Sequence, residues 1–234
     1  LPAAEMIISH KHRFIFLKTN KTASTSIEIA LSKFCGEKDI ITPINPNDEK
    51  IRCKLGHRGP QNYLLPLRKY SFRELRHLLL KGKRKQFYHH IPAREIMGLI
   101  GKKRWNNYYK FCFERNPWDR VISYYYWSCK SAPRPTISEF IDSGGPGLLK
   151  KRGLEMYTVN GKIAVDKVCL YEKLEEELEK VSNILGFGEK LILPRAKASY
   201  RKDRRHYREI LDEKDKVKIA RLFQREIELF GYEF

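Results

Sequence analysis

The chain has 234 residues, 41% of them apolar, which suffices for one well-cored domain or two small ones. Lys and Arg number 47 against 28 Asp and Glu, and the net charge of +19 makes a field that attracts nucleic acid, anionic glycans or nucleotide phosphates alike. No run of eighteen apolar residues is present, which argues against a transmembrane helix.

No charged segment followed by an apolar one opens the chain, so no secretory signal is expected. A stem or leader removed beforehand would leave no trace. Met6 begins a stretch that reads as a natural start (Met-Ile-Ile-Ser-His), which makes residues 1–5 an expected scar and 6–234 a single expected domain. The five cysteines, Cys35, Cys53, Cys112, Cys129 and Cys169, are odd in number and show no CxxC spacing. Neither a disulfide framework nor a zinc site is suggested, and a reducing cytoplasm, as in a bacterium, suits the pattern best, with a Golgi lumenal fragment as the alternative.

In chain order, residues 12–17 (His-Arg-Phe-Ile-Phe-Leu) read as a buried strand. Polar residues 18–26 follow, and Ile27, Ile29, Ala30, Leu31 and Phe34 then give a helical apolar face. Ser71 with Glu74 forms a capping box for a helix over 72–80, and Pro92 opens one over 93–100 that ends at Gly101. Residues 108–113 make a second strand with 114–116 as its exit. Pro117 stands at a first-turn position before the apolar face of Val121, Ile122, Tyr125 and Tyr126. Residues 131–153 are expected to be a loop with a short helix near 137–141. A third strand covers 166–171, a helix covers 174–185 and stops at Gly186, and a last helix runs from about 212 to 230.

Strands alternating with helices predict an α/β fold, a mostly parallel sheet flanked by helices on both faces. Ligands of such sheets bind beyond the carboxyl ends of the strands, where loops enter helices. Residues 18–26 and 114–116 both lie at that address.

Lys21, Thr22, Ala23, Ser24, Thr25 and Ser26 lead from the first strand into its helix. Small and hydroxylated side chains let backbone N–H groups converge on an anion at a helix N-terminus, with Lys21 as a mobile charge. The same residues also suit a helix that merely uses Ser and Thr as caps. The glycines of GxxxxGK[ST] are missing, which disfavours an ordinary ATP or GTP loop. Phe-Leu-Lys-Thr-Asn-Lys-Thr-Ala-Ser-Thr-Ser (16–26) resembles the 5′-phosphosulfate loop of sulfotransferases that use 3′-phosphoadenosine 5′-phosphosulfate (PAPS), nearest to the heparan sulfate 2-O-sulfotransferase branch and related bacterial proteins. The resemblance implies a P-loop-NTPase-like sulfotransferase fold, with Lys21 and the amides after it holding the phosphosulfate.

Phe113-Glu114-Arg115-Asn116-Pro117-Trp118-Asp119-Arg120-Val121-Ile122-Ser123 is similar to that family's 3′-phosphate signature. By that resemblance Arg115 and Ser123 grip the 3′-phosphate, which would select PAPS over ATP. Arginine suits bidentate phosphate binding, and Ser123 lies six residues past Pro117, about 9 Å along a helix axis. A surface arginine and a helix-interior serine are the plain alternative. Glu114 departs from the family pattern, which more often has an apolar residue there, and its charge is compatible with a phosphate site only if it points away. Weaker resemblance covers 90–96, 165–174 and 227–234.

The family's in-line transfer implies catalysis by positioning and electrostatics, with Lys21 at the leaving oxygen and no metal expected. Resemblance points to His90 as the base for the acceptor hydroxyl, with His89 and His57 as weaker candidates and a structural role as the alternative. Arg201, in the basic stretch 195–208, falls where the family has a nucleotide-covering loop, so it is a second candidate for the 3′-phosphate. That stretch and 81–85 also suit a wall for an anionic glycan. The expected acceptor is a carbohydrate or other hydroxyl compound, and no nucleic acid is expected. Rival readings are a nucleotide or sugar kinase, which needs a magnesium-binding Asp that neither Asp119 nor Asp166 supplies well, and a non-enzymatic nucleic-acid binder, which lacks any recognised motif here. A scaffold with a degenerate site is a further alternative.

Overall fold

A five-stranded mixed sheet organises the computed structural model, which describes residues 6–87, 90–194, 201 and 203–234. Its strands are β1 (Ile7–Ser9), β2 (Phe14–Phe16), β3 (Ile40–Ile41), β4 (Tyr109–Glu114) and, after a small ribbon of β5 (Thr158–Val159) and β6 (Lys162–Ile163), β7 (Lys167–Leu170). The spatial order is β3-β1-β2-β4-β7. β2, β4 and β7 run parallel, while β1 is antiparallel to both of its neighbours. The sheet is therefore less uniformly parallel than the sequence predicts. Residues 10–13 are too few for a crossover, which takes a dozen or more, so β1 and β2 can only fold as a hairpin.

The helices are α1 (Ser24–Ser32), α2 (Pro46–Lys54), α3 (Phe72–Lys81), α4 (Ala93–Ile100), α5 (Lys102–Asn107), α6 (Pro117–Ser128), α7 (Ile137–Asp142), α8 (Gly147–Lys151), α9 (Leu154–Tyr157), α10 (Leu174–Leu185), α11 (Tyr207–Ile210), α12 (Glu213–Leu222) and α13 (Gln224–Phe230). α2 lies where no helix was expected, although Asn45 caps it, Pro46 opens it, and Asp48 and Glu49 occupy its first turn. The single last helix predicted over 212–230 is two: Phe223 leaves the helical region (φ −114°, ψ 24°) and its ring is fully buried. The expected loop 131–153 holds α7 and also α8.

Period-2 alternation assigns each strand side chain to a face. Phe14, Phe16, Phe111 and Phe113 pack with Ile27 and Leu31 of α1 and Leu178 and Val181 of α10. Ile8, Ile15, Leu17 and Cys112 face the other way, against Ile96 and Ile100 of α4 and Tyr157 of α9. A third cluster joins Trp118, Val121, Ile122 and Tyr125 of α6 to Phe140, Ile219 and Phe223. All five cysteines are unbridged, and burial pushes the thiols of Cys35, Cys112 and Cys169 up. Among the described residues no helix is long and apolar enough to cross a membrane.

Candidate active site

The carboxyl ends of β2, β4 and β7 lie side by side because these strands are parallel neighbours, and the two motifs leave the sheet there. The β2–β4 ladder continues into the first motif, where the Leu17 amide donates to the Phe111 carbonyl at 2.9 Å. The Thr19 hydroxyl then donates to the Phe113 carbonyl, so the start of the loop is tied to the end of β4. Within the loop, the Thr19 and Thr22 hydroxyls are 3.0 Å apart, and the Ser24 hydroxyl donates to the Thr19 carbonyl at 3.0 Å. Thr22 and Ser24 thus use their hydroxyls to shape the loop. Lys21 (φ 67°) and Ala23 (φ 56°) both take left-handed backbone in the turn before α1 begins. Thr22, Ser24, Thr25 and Ser26 are buried.

A second lysine stands behind the loop. Lys18 Nζ donates to the Thr25 hydroxyl at 2.9 Å and lies 3.3 Å from Glu28 Oε2. Arg52 of α2 reaches the other Glu28 oxygen at 3.1 Å. Burial drives the Glu28 carboxyl above its ordinary value, against the opposing pull of Lys18 and Arg52. α2 therefore supplies the guanidinium that completes this network, and its place in the fold follows from that contact.

Arg115 brings the second motif to the first. It follows β4 directly, and its Nη1 donates to the Lys21 carbonyl at 3.1 Å. Its Nε and Nη2 donate to Asp119 Oδ2 at 2.8 and 2.5 Å, and its guanidinium lies 4.1 Å from the centre of the Tyr171 ring. Arg201 reaches the other oxygen of Asp119 at 2.5 Å, so one carboxylate joins both predicted arginines. Burial opposes the charge on Asp119, but Arg115 and Arg201 prevail and hold its carboxyl below its ordinary value. Ser123 is half-buried on α6, two turns on, and its hydroxyl makes no hydrogen bond to the loop among the described residues.

Glu114 does point away. It shares the parity of Cys112, and so turns to the sheet face opposite α1. There it is fully buried, 2.6 Å from Arg120 Nη1 and within 2.8 Å of the Tyr157 hydroxyl, which donates to it. Arg120 also donates from Nε to the Asn20 carbonyl at 3.0 Å, so this buried pair braces the loop from below.

His90 has left-handed backbone (φ 51°) and its Nδ1 lies 3.0 Å from the Lys18 carbonyl. A carbonyl only accepts, so Nδ1 carries the proton and Nε2 is the basic nitrogen of the neutral ring. His89 lies outside the described residues, as do 195–200 and Lys202 of the basic stretch. His57 donates from Nδ1 to the Ile29 carbonyl at 2.9 Å, well along α1 from the loop.

Several neighbours escaped the sequence reading. Trp127 of α6 lies 5.6 Å from Lys21 Nζ and 5.2 Å from Lys130 Nζ. Tyr171 follows the third parallel strand, an address that the strand-end rule could have flagged. Asp119 was weighed only as a metal ligand, and among the described residues no cluster of three or more His, Cys, Asp or Glu is placed to hold a metal ion.

Comparison with known proteins shows the family. A protein of Archaeoglobus fulgidus, itself described only as uncharacterized, is 36% identical over 106 residues, which is 43% of this chain and 87% of that protein. No solved structure matches the chain. The sequence pattern of the sulfotransferase family, by contrast, matches residues 4–233, nearly end to end. With that match spanning both the loop at Lys21 and the arginine that touches it, the chain belongs to the sulfotransferase family.

Proposed function

We propose that this protein transfers the sulfuryl group of PAPS to a hydroxyl of a carbohydrate, in the manner of the heparan sulfate 2-O branch that its loop resembles. The observation that carries the reading is the contact between Arg115 and the Lys21 carbonyl, which brings the arginine of the second motif against the loop of the first. In this reading Lys21 and the amides of 22–26 hold the phosphosulfate, and Lys21 neutralises charge growing on the leaving oxygen. Arg115, Ser123 and Arg201 take the 3′-phosphate, with Asp119 aligning the two arginines. The P-loop-like cradle needs no glycine at its turns, because Lys21 and Ala23 accept left-handed backbone.

His90 serves as the general base. Its Nδ1 donates to the Lys18 carbonyl, which fixes the tautomer whose basic nitrogen is Nε2, the atom that takes the acceptor's proton in this reading. The reading needs no metal, since Lys21, backbone amides and arginines supply the positive field. Residues 6–234 work as one unit. The unbridged cysteines favour a reducing compartment such as a bacterial cytoplasm. The net charge of +19 favours an acceptor that is itself anionic, such as an acidic or already sulfated sugar.

The test is calorimetric titration with 3′-phosphoadenosine 5′-phosphate, ADP and AMP in the absence of magnesium. The 3′-phosphorylated nucleotide should bind best, and Arg115→Ala should weaken it about 10- to 100-fold. His90→Gln should bind that nucleotide normally while losing about 100-fold or more in turnover with PAPS and an acceptor. Equal binding of all three nucleotides would overturn the donor assignment and favour a kinase. Binding of none, with tight uptake of oligonucleotides, would favour the nucleic-acid reading.

A further inference from the structure

Helix α3 is built inside out. A helix on a globular protein ordinarily turns its apolar stripe to the core and its charges to water. α3 has no buried residue, and Phe72, Leu79 and Leu80 are 85%, 86% and 73% exposed. Phe72, Leu75 and Leu79 follow the i, i+3, i+7 spacing of one stripe, and Leu80 extends it past Arg76. Just ahead of the helix, Leu67 is a further 53% exposed. The side turned toward the body instead carries Leu78 and Glu74, and Glu74 is paired with Lys85.

This exposure is held in place by specific contacts. Ser71 and Glu74 form a reciprocal capping box, and Gly82 ends the helix in left-handed backbone (φ 62°). The excursion is closed at its base, where the Leu65 amide donates to the Lys85 carbonyl and the Phe87 amide to the Tyr63 carbonyl, each at 2.9 Å. The Lys85 amide donates to the Tyr70 hydroxyl at 2.6 Å. A capped helix on a closed base thus presents Phe72, Leu79 and Leu80 outward.

Charge narrows the choice of partner. Residues 67–85 contain Arg68, Lys69, Arg73, Arg76, Lys81, Lys83, Arg84 and Lys85 against Glu74 alone, a net +7 with His77 neutral. A second copy of the chain would bring the same +7 to the contact. A nucleic acid or an anionic polysaccharide would answer the charge but would leave the leucines in water. A bilayer with anionic headgroups meets both demands, since apolar side chains enter the acyl boundary while Arg and Lys stay at headgroup level.

We propose that α3 and its basic flanks dock this protein onto an anionic lipid surface. The inference goes beyond the sulfotransferase reading and stands without it, because no residue of the loop or of the arginine cluster takes part.

The experiment is cosedimentation of the full chain with phosphatidylcholine vesicles made with and without phosphatidylglycerol. Binding should require phosphatidylglycerol and weaken with salt. The triple variant Phe72→Ser, Leu79→Ser, Leu80→Ser should partition at least about tenfold more weakly while keeping its circular dichroism spectrum and its nucleotide affinity. In a separate variant, Phe72→Trp should show a blue shift of emission on the anionic vesicles. No binding, or phosphatidylglycerol binding that the triple variant retains in full, would overturn the proposal, the latter by reducing it to the general charge of the molecule. A concentration-dependent dimer abolished by the triple variant, without vesicle binding, would assign the surface to a second copy instead.

Discussion

Asp119 holds two arginines at once, one through each carboxylate oxygen, and neither arginine owes its position to sequence neighbours alone. In free protein it keeps two like charges close together, which would otherwise repel. Its folded carboxyl lies below the ordinary value of about 3.9, so its contribution is fully present above that value and is lost as pH falls through the lower folded one. Asp119→Asn preserves shape and removes the charge, and should cost about 1–3 kcal/mol in urea unfolding at pH 7. The gap between wild type and variant should hold steady at neutral pH and close below about pH 4. A gap that persists undiminished into strong acid would mean that the carboxylate does not hold these arginines by charge.

At the scale of elements, the loop at Lys21 depends on backbone that only a few residues take readily. Ala23 at φ 56° accepts a strain of about 1–2 kcal/mol that glycine would not feel, though glycine has more chain entropy to lose. Ala23→Gly should therefore stay within about 1 kcal/mol of wild type and keep its nucleotide affinity. Ala23→Val sets a β-branched side chain in the same geometry, and should lose about 1–3 kcal/mol and most nucleotide binding. Equal behaviour of the two variants in calorimetry would show that the loop does not need this turn. What could be read from the sequence follows the same division between local and distant causes. The capping box at Ser71 and Glu74, the first-turn Pro117 and the stop at Gly186 are local chemistry, and the elements they bound stand as expected. The break at Phe223 is decided by packing against distant elements, whereas β1 pairs with β2 just across the turn at 10–13 and is simply too short, at 3 residues, to stand out by its own pattern. The site divides likewise. Lys21 and Arg115 sit in motifs, whereas the Tyr157 contact to Glu114 and the Arg52 contact to Glu28 link residues that no local pattern connects.

Across the whole molecule, the second motif is enclosed by the far end of the chain. Asn116 caps α6 by accepting from the Trp118 and Asp119 amides, and its own amide side chain donates to the Tyr207 hydroxyl and the Glu233 carbonyl, both at 3.3 Å. Trp118 meets Phe234 edge-on with ring centres 5.4 Å apart, and Lys216 Nζ lies 4.8 Å from the centre of that phenylalanine ring. Glu172 accepts from the Asn116 amide at 2.6 Å and from the Tyr232 hydroxyl at 3.4 Å, and burial pushes the Tyr232 phenol up. Asn116 directly follows Arg115, so these contacts fix the turn from which that arginine reaches Asp119 and the Lys21 carbonyl. Removal of residues 232–234 should then act in two ways. Lost packing on Trp118 should lower unfolding free energy by about 2–4 kcal/mol in urea. A looser turn at Asn116 should also weaken binding of 3′-phosphoadenosine 5′-phosphate, and Phe234→Ala should reproduce the stability loss with a smaller effect on affinity, because it leaves the Glu233 and Tyr232 contacts in place. If the truncated chain lost stability but bound nucleotide as tightly as before, the tail would be packing alone, and the position of Arg115 would rest on Asp119 and the sheet.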